Sequence, residues 1–453
     1  MLFNDLFGKV PGFLAGAVLI LLVTALGASP ARAVPAFAAQ TGQTCQACHV
    51  GGLGPQLTPF GRNFKLHGYT LRTTTFNAPL SAMVIASYVR TDKAQAAAPA
   101  PNFNANDNFA LDQISLFFAG GFGPHVGAFV QATYDGVAKA FTWDNLDVRA
   151  TTTVNIKGAD VVLGTSLNNN PTVQDAWNTL AAWGFPYTAS NLAPSPSAAP
   201  LLDGAFAQNT LGLTGYAWIN SEYFIEAGGY GSPGANNLRR LGADPTAPGD
   251  IDGIAPYVRL AWQKTVGGGA LELGAFGLQA NIHPGLDRDT GRLDHFTDLG
   301  LDASYAKTLA SGDVVTLNAR YTHEQQQLNA TCVLAAAPSG CVNNDLSDVH
   351  ADAAYYWRNT VGATVGVFDT TGSANPFVYA GNRTFKPDST GVILQLDATP
   401  FGGEPQPARR VNVRLGVQYT LYTRFDGAGS NFDGAGTSAS DNNTLRFFTW
   451  FAF

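Results

Sequence analysis

Between residues 79 and 453 the chain shows neither a sustained helical period nor an apolar run of 18 residues; what repeats is alternation. In 411–425 one parity carries Val411, Val413, Leu415, Val417, Tyr419 and Leu421, and the other carries Asn412, Arg414, Gln418, Thr420 and Arg424. In 348–358, Val349, Ala351, Ala353, Tyr355 and Trp357 oppose His350, Asp352, Tyr356 and Arg358. In 315–322, Val315, Leu317, Ala319 and Tyr321 oppose Thr316, Asn318, Arg320 and Thr322. A period of two over about ten residues, with one face apolar and the other polar, is the pattern of a strand between lipid and an aqueous lumen.

Counting such segments places strands near 80–91, 108–119, 125–135, 142–153, 159–168, 207–218, 222–230, 254–264, 270–282, 295–307, 314–326, 347–358, 361–370, 388–398, 408–424 and 443–453. Two of them, 108–119 and 270–282, change apolar parity midway. Short connections alternate with long Gly, Asn, Pro and Asp loops, the longest at 169–206 and expected outside. The fold class predicted is all-β: an antiparallel outer-membrane barrel of about sixteen strands, with short periplasmic turns, long outer loops and both termini periplasmic. A soluble sandwich or propeller would also alternate, but would not need such asymmetric loops.

Both ends of the chain fit export. Lys9, the apolar run Phe13–Leu26 and Ala31-Arg32-Ala33 read as a secretory signal over 1–33, with cleavage expected before Val34. At the other end Leu445, Phe447, Phe451 and Phe453 share one face, as in the C-terminal strands of bacterial outer-membrane barrels, which end in Phe. Composition narrows the classes further. Only 13% of the 453 residues are charged and the formal net charge is −7, so no basic patch is available for nucleic acid. Aromatics at 11% argue against a disordered chain.

The chemistry precedes the barrel, in a segment expected over 34–78. Cys45-Gln46-Ala47-Cys48-His49 is a C-x-x-C-H sequence, the attachment pattern of a c-type haem. One turn of chain presents two thiols to one haem edge and an adjacent imidazole to the iron. The competing reading is a Cys45–Cys48 disulfide in an exported protein. Downstream, Thr58 as N-cap, Pro59 at the first helical position and Gly68 as the stop predict a short helix. Phe60 and Phe64 fall on one face and are candidates to pack on a haem plane, with Arg62 and Lys65 as candidate propionate partners. A capped surface helix with a small apolar face is the plainer alternative.

Taken with the signal, the run Phe37-Ala38-Ala39-Gln40-Thr41-Gly42-Gln43 before C-x-x-C-H, then Leu57-Thr58-Pro59-Phe60-Gly61-Arg62, Phe64-Lys65-Leu66 and Gly68-Tyr69 ahead of a barrel, resembles the fused outer-membrane monohaem cytochrome–porins of iron-oxidising bacteria. The resemblance is specific over 34–78 and architectural over 79–453. It implies a haem-bearing plug and oxidation of extracellular Fe(II), with electrons handed to a periplasmic cytochrome c or copper protein. A different extracellular donor, or a diffusion porin with a structural haem, remains open.

The second axial ligand is not fixed by motif. Met83 lies on the parity opposite Leu80, Ala82, Val84 and Ala86, hence toward the lumen, and is the first candidate; His67 and His125 are the others. Cys332 and Cys341, in the loop 327–346, are expected to form a local disulfide. His283, Asp287, Asp289, Asp294 and His295 gather in one outer loop and offer Fe(II) ligands, although a solvated acidic loop is the favoured reading. His350 and Asp352 are expected in the lumen.

Overall fold

In the computed structural model, residues 36–73, 79–337, 341–404 and 411–453 are described; the signal reading at 1–33 lies outside them. Sixteen long strands form one antiparallel sheet. They are β1 (Leu80–Thr91), β2 (Asn108–Gly121), β3 (Val126–Asp135), β4 (Ala140–Ile156), β5 (Ala159–Asn168), β6 (Leu211–Ile219), β7 (Tyr223–Gly231) and β8 (Ala255–Val266). The second half comprises β9 (Gly269–His283), β10 (Asp294–Thr308), β11 (Val314–Gln327), β12 (Asn343–Trp357), β13 (Val361–Gly372), β14 (Ser389–Ala398), β15 (Asn412–Arg424) and β16 (Thr444–Ala452). A two-residue strand, Asp250–Ile251, adds to the end of β9. Because β1 pairs with β2 on one side and β16 on the other, the sheet has no open edge.

Register explains why the barrel faces lipid. Tyr305, Leu317, Ala353, Val365, Leu394, Tyr419 and Leu445 stand in one cross-strand row running from β10 to β16. Leu299 and Leu301 of β10 are each 62% exposed on this outer face. The neighbouring inward row, Asp302, Arg320, His350 and Phe368, is set in the lumen. Apolar outside and mostly polar inside is the arrangement of a membrane barrel, and it puts the protein in the bacterial outer membrane.

All sixteen expected strands are present, with ends shifted by a few residues. The parity change in 108–119 has a local cause: Gln113 pairs with Ile85 and Leu111 with Ala86, so Asp112 is an extra residue and forms a bulge. The change in 270–282 has a different one. No register shift interrupts β9; instead its inward residues Phe276, Leu278, Ala280 and Ile282 are apolar because they pack on Leu180, Leu201, Leu202 and Phe206.

Those four belong to the segment expected to be the longest outer loop, and here the sequence reading is corrected. Residues 169–210 turn into the lumen: Val173, Ala176 and Leu180 are fully buried. Residues 207–210, expected to open β6, belong to this loop. One further expectation needs adjusting: the outer connection between β3 and β4 is only residues 136–139.

A candidate haem site between two lumen segments

From the short-turn end of the barrel, the N-terminal segment enters the lumen as α1 (Ala36–Thr41), α2 (Cys45–Cys48) and α3 (Pro59–Leu66). Its anchors are short-range and polar. Gln46 Nε2 donates to Asn359 O and Thr360 Oγ1, and Gly51 N donates to Asn359 Oδ1, tying α2 to the turn between β12 and β13. On the far wall Gln40 bonds the Gly121 amide, and Tyr69 donates to Asp147 at 2.6 Å. Thr58 caps α3 by accepting from Gly61 N, as its position before Pro59 predicts. At Gly61 a Cβ would stand 2.4 Å from the Cys48 carbonyl, so only glycine lets α3 cross α2 this closely.

The inward loop comes from the outer end and meets this segment. Lys65 Nζ donates to Val173 O at 2.6 Å and Asp175 O at 2.8 Å, while Asn178 accepts from Leu57 N and donates to Pro55 O. The loop is held to the wall by charge. Asp175 pairs with Arg259 at 3.1 Å, and Arg259 also meets Asp302 and Glu272. Backbone amides of Leu201 and Leu202 donate to Glu324 and Asp298.

Between the two segments lies a cavity of about 500 Å³. That volume is within the ~300–1,000 Å³ of ordinary cofactor pockets. Cys45, Cys48 and His49 line one part of it, and Met83, Ile85, Phe117, Phe129 and Trp450 line others. The two thiols are unbridged, so the disulfide alternative for Cys45 and Cys48 is not what the fold adopts. Burial pushes the Cys48 thiol up to about 11, with Cys45 adding to it. Burial pushes the His49 imidazole down to about 4, against the Gly54 backbone beside it, and leaves the ring neutral with a lone pair to give.

Three residues lining this cavity keep a buried polar atom without a hydrogen-bond partner: His49 Nδ1, Tyr187 OH and Trp450 Nε1. Each needs a partner, which a group or water held in the cavity would supply. Two free thiols, a neutral buried imidazole, apolar and aromatic walls and unpaired polar atoms at one cavity fit a covalently held haem.

The other candidates divide. Met83 is buried, faces the lumen as its parity predicts, and packs with Ile85, Trp450, Leu53 and Phe117 at the cavity. His67 and His125 do not line it; their Nδ1 atoms bond Asn63 O and Thr151 O near the short-turn rim. Phe64 is buried on the cavity wall, whereas Phe60 is 38% exposed, because the first turn of α3 is its solvent-facing end. Arg62 also departs from expectation. It is buried away from the cavity, its Nε donating to Leu57 O, with Glu272 and Asp175 as the charges it feels. Lys65 does reach the cavity, with Nζ turned to the loop carbonyls and 4.9 Å from the centre of the Trp183 ring.

Cys332, within α5 (Asn329–Leu334), and Cys341 are joined in a disulfide with Cα atoms 5.9 Å apart; α4 (Ala235–Arg240) is a further loop helix. The five outer-loop residues offered as iron ligands do not converge. His283 faces Asp252, Asp294 accepts from Ala330 and Thr331, and His295 bonds Asn281. His350 and Asp352 are in the lumen, at a small cavity with Arg320 and Phe185. What sequence reasoning missed was Tyr187, Trp183 and the rest of the inward loop. The apolar parity of β9 was the signal for it.

No protein-family model and no curated protein matches the sequence. Among solved structures, the chain is similar to the anion-selective porin from Comamonas acidovorans, at 13% identity and TM-score 0.45, covering 83% of this chain and 98% of that one. It is also similar to the outer membrane channel DcaP of Acinetobacter baumannii, at 11% identity, TM-score 0.44, and 83% and 96% coverage. A third is outer-membrane expressed OmpT of Vibrio cholerae, at 10% identity, TM-score 0.43, and 84% and 99% coverage.

Proposed function

We propose that this porin-like barrel is an electron conduit, carrying one covalent c-type haem and oxidising extracellular Fe(II) on behalf of a periplasmic cytochrome c or copper protein, as in the cytochrome–porins it resembles. The single observation that carries the reading is the convergence of Cys45, Cys48 and His49, whose Nδ1 has no hydrogen-bond partner, on one cavity inside the barrel. Bound there, a haem supplies a one-electron couple whose potential depends on its axial ligands and on the dryness of its surroundings.

The chain's own residues prepare that place. Cys45 and Cys48 stand one helical turn apart and offer their sulfurs together. His49 follows directly and offers its nitrogen. Met83, on the wall formed by β1, lines the same cavity and would be the candidate second ligand. Phe64, Phe117, Phe129 and Trp450 exclude water. The N-terminal segment and the inward loop occupy the lumen from both ends, which favours a conduit over an open diffusion pore.

The test is an anaerobic visible spectrum of the purified, oxidised protein before and after Fe(II) is added. Sharpened haem c bands are expected. A spectrum that stays oxidised would remove iron as the donor under those conditions, and a chain with no haem bands would remove the conduit.

A further inference from the structure

The lumen holds a run of aromatic rings that the cavity itself does not require. It starts at the cavity wall with Tyr187, whose buried hydroxyl has no hydrogen-bond partner. The Phe185 ring is 5.6 Å away. Phe185 packs into one apolar cluster with Phe368 of β13, Ile393 of β14 and Tyr422 of β15. From there the ring centres continue from Phe368 to Tyr422 at 5.7 Å, to Phe425 at 5.0 Å and to Phe432 at 5.1 Å. Each measured step is within the ~4.5–7 Å over which aromatic rings interact. Phe425 opens the last outer connection, 425–443, and Phe432 lies inside it. The run therefore leads from the cavity to the outer loops.

Lumen positions are polar by default, so Phe368 and Tyr422 depart from the pattern around them. The wall is also thinned for them. A Cβ at Gly366 would lie 2.6 Å from the Phe185 ring, and one at Gly391 would lie 2.4 Å from the Phe368 ring. Anchoring accounts for part of this, since Tyr422 donates to Pro194 O of the inward loop at 2.9 Å. Anchoring alone would not call for rings continuing past the loop to Phe425 and Phe432.

We propose that these six rings are the electron path from the outer surface to the cavity; this rests on the reading that the cavity holds a haem. One electron leaves the external donor, whose iron passes from the +2 to the +3 state, and one electron reduces a ferric haem. No bond forms or breaks, no proton moves, and no ring changes oxidation state. The rings contribute closely packed edge-to-face and tilted π systems through the lumen, where water or aliphatic side chains would couple donor and acceptor more weakly.

The experiment replaces iron by a photochemical donor. In the full, haem-loaded chain in phosphatidylethanolamine–phosphatidylglycerol vesicles, Asp433→Cys, next to Phe432 and exposed, carries a ruthenium polypyridyl label. With Cys45 and Cys48 bonded to haem and Cys332–Cys341 paired, only the new thiol reacts. A flash sends one electron from the excited label to the ferric haem, and the rate is read optically. Phe368→Leu and Tyr422→Leu are expected to slow this step by about tenfold, and Tyr422→Phe to stay within about twofold of the parent. Near-UV circular dichroism reports whether the remaining rings keep their packing, and Phe425→Leu serves if either variant fails to fold. Parent-like rates in the leucine variants overturn the proposal. A parent chain reduced by the label but not by Fe(II) drops iron as donor and leaves the path standing. Absence of haem overturns both.

Discussion

The N-terminal segment and the inward loop fill one lumen from opposite ends, yet different forces hold them. The segment is built from short helices, one of them capped locally by Thr58, and its ties to the wall are mostly single hydrogen bonds such as Gln46 to Asn359 and Tyr69 to Asp147. The loop has almost no regular structure beyond a single turn at Leu201–Asp203. It depends on buried charge, above all Asp175 on Arg259, and on an apolar footprint against β9. A segment of the first kind carries its instructions in its own sequence. One of the second kind carries half of them on strands about a hundred residues away.

The largest expected effect tests the segment alone. Cys45→Ala with Cys48→Ala should abolish covalent haem, read as loss of haem staining on a denaturing gel, while the barrel still folds and resists denaturation in detergent. A chain that kept its stain would show that the cavity does not hold haem through these thiols.

Next comes the loop. Arg259→Met would leave Asp175, Glu272 and Asp302 without the cation that ion-pairs with all three, Arg62 being the remaining positive charge near Asp175 and Glu272. Removing one partner from such a buried set costs about 3–5 kcal/mol. The loop should loosen from the wall, raising single-channel conductance in planar bilayers while haem content is kept. Unchanged conductance would mean that the apolar footprint alone holds the loop.

A third variant touches neither. Cys332→Ser with Cys341→Ser removes the cross-link near α5 and should lower stability by about 2–3 kcal/mol, read in chemical unfolding, with conductance and haem spectrum as in the parent. The smallest effects sharpen the ligand assignment. His67→Ala and His125→Ala should leave the haem spectrum and midpoint potential unchanged, since both rings are bonded near the rim. Met83→Ala should move both. The reverse pattern would transfer the ligand role from Met83 to a histidine.

The barrel was legible because alternation is a local property, visible strand by strand without knowing any partner. The cap at Thr58 was legible for the same reason. Phe60 and Arg62 were misplaced because helical spacing shows which residues share a face but not which end meets solvent or what packs against it. The loop at 169–210 was read as exterior because its composition is that of any Pro- and Asn-rich connection. Its destination was written instead in β9, where Phe276, Leu278, Ala280 and Ile282 put grease where a lumen strand should be wet. The parity change was visible in the sequence; its meaning needed the register.

The seam of the barrel sets an order of events. Met83 sits on β1, paired with Ala452 of β16, so one wall of the cavity exists only once the first and last strands have met. The cavity of about 500 Å³ admits a cofactor but no polypeptide. On the proposed reading, a haem joined to Cys45 and Cys48 by another protein would be joined while the segment is still loose in the periplasm. The order expected from that reading is attachment first and closure of the barrel in the membrane second.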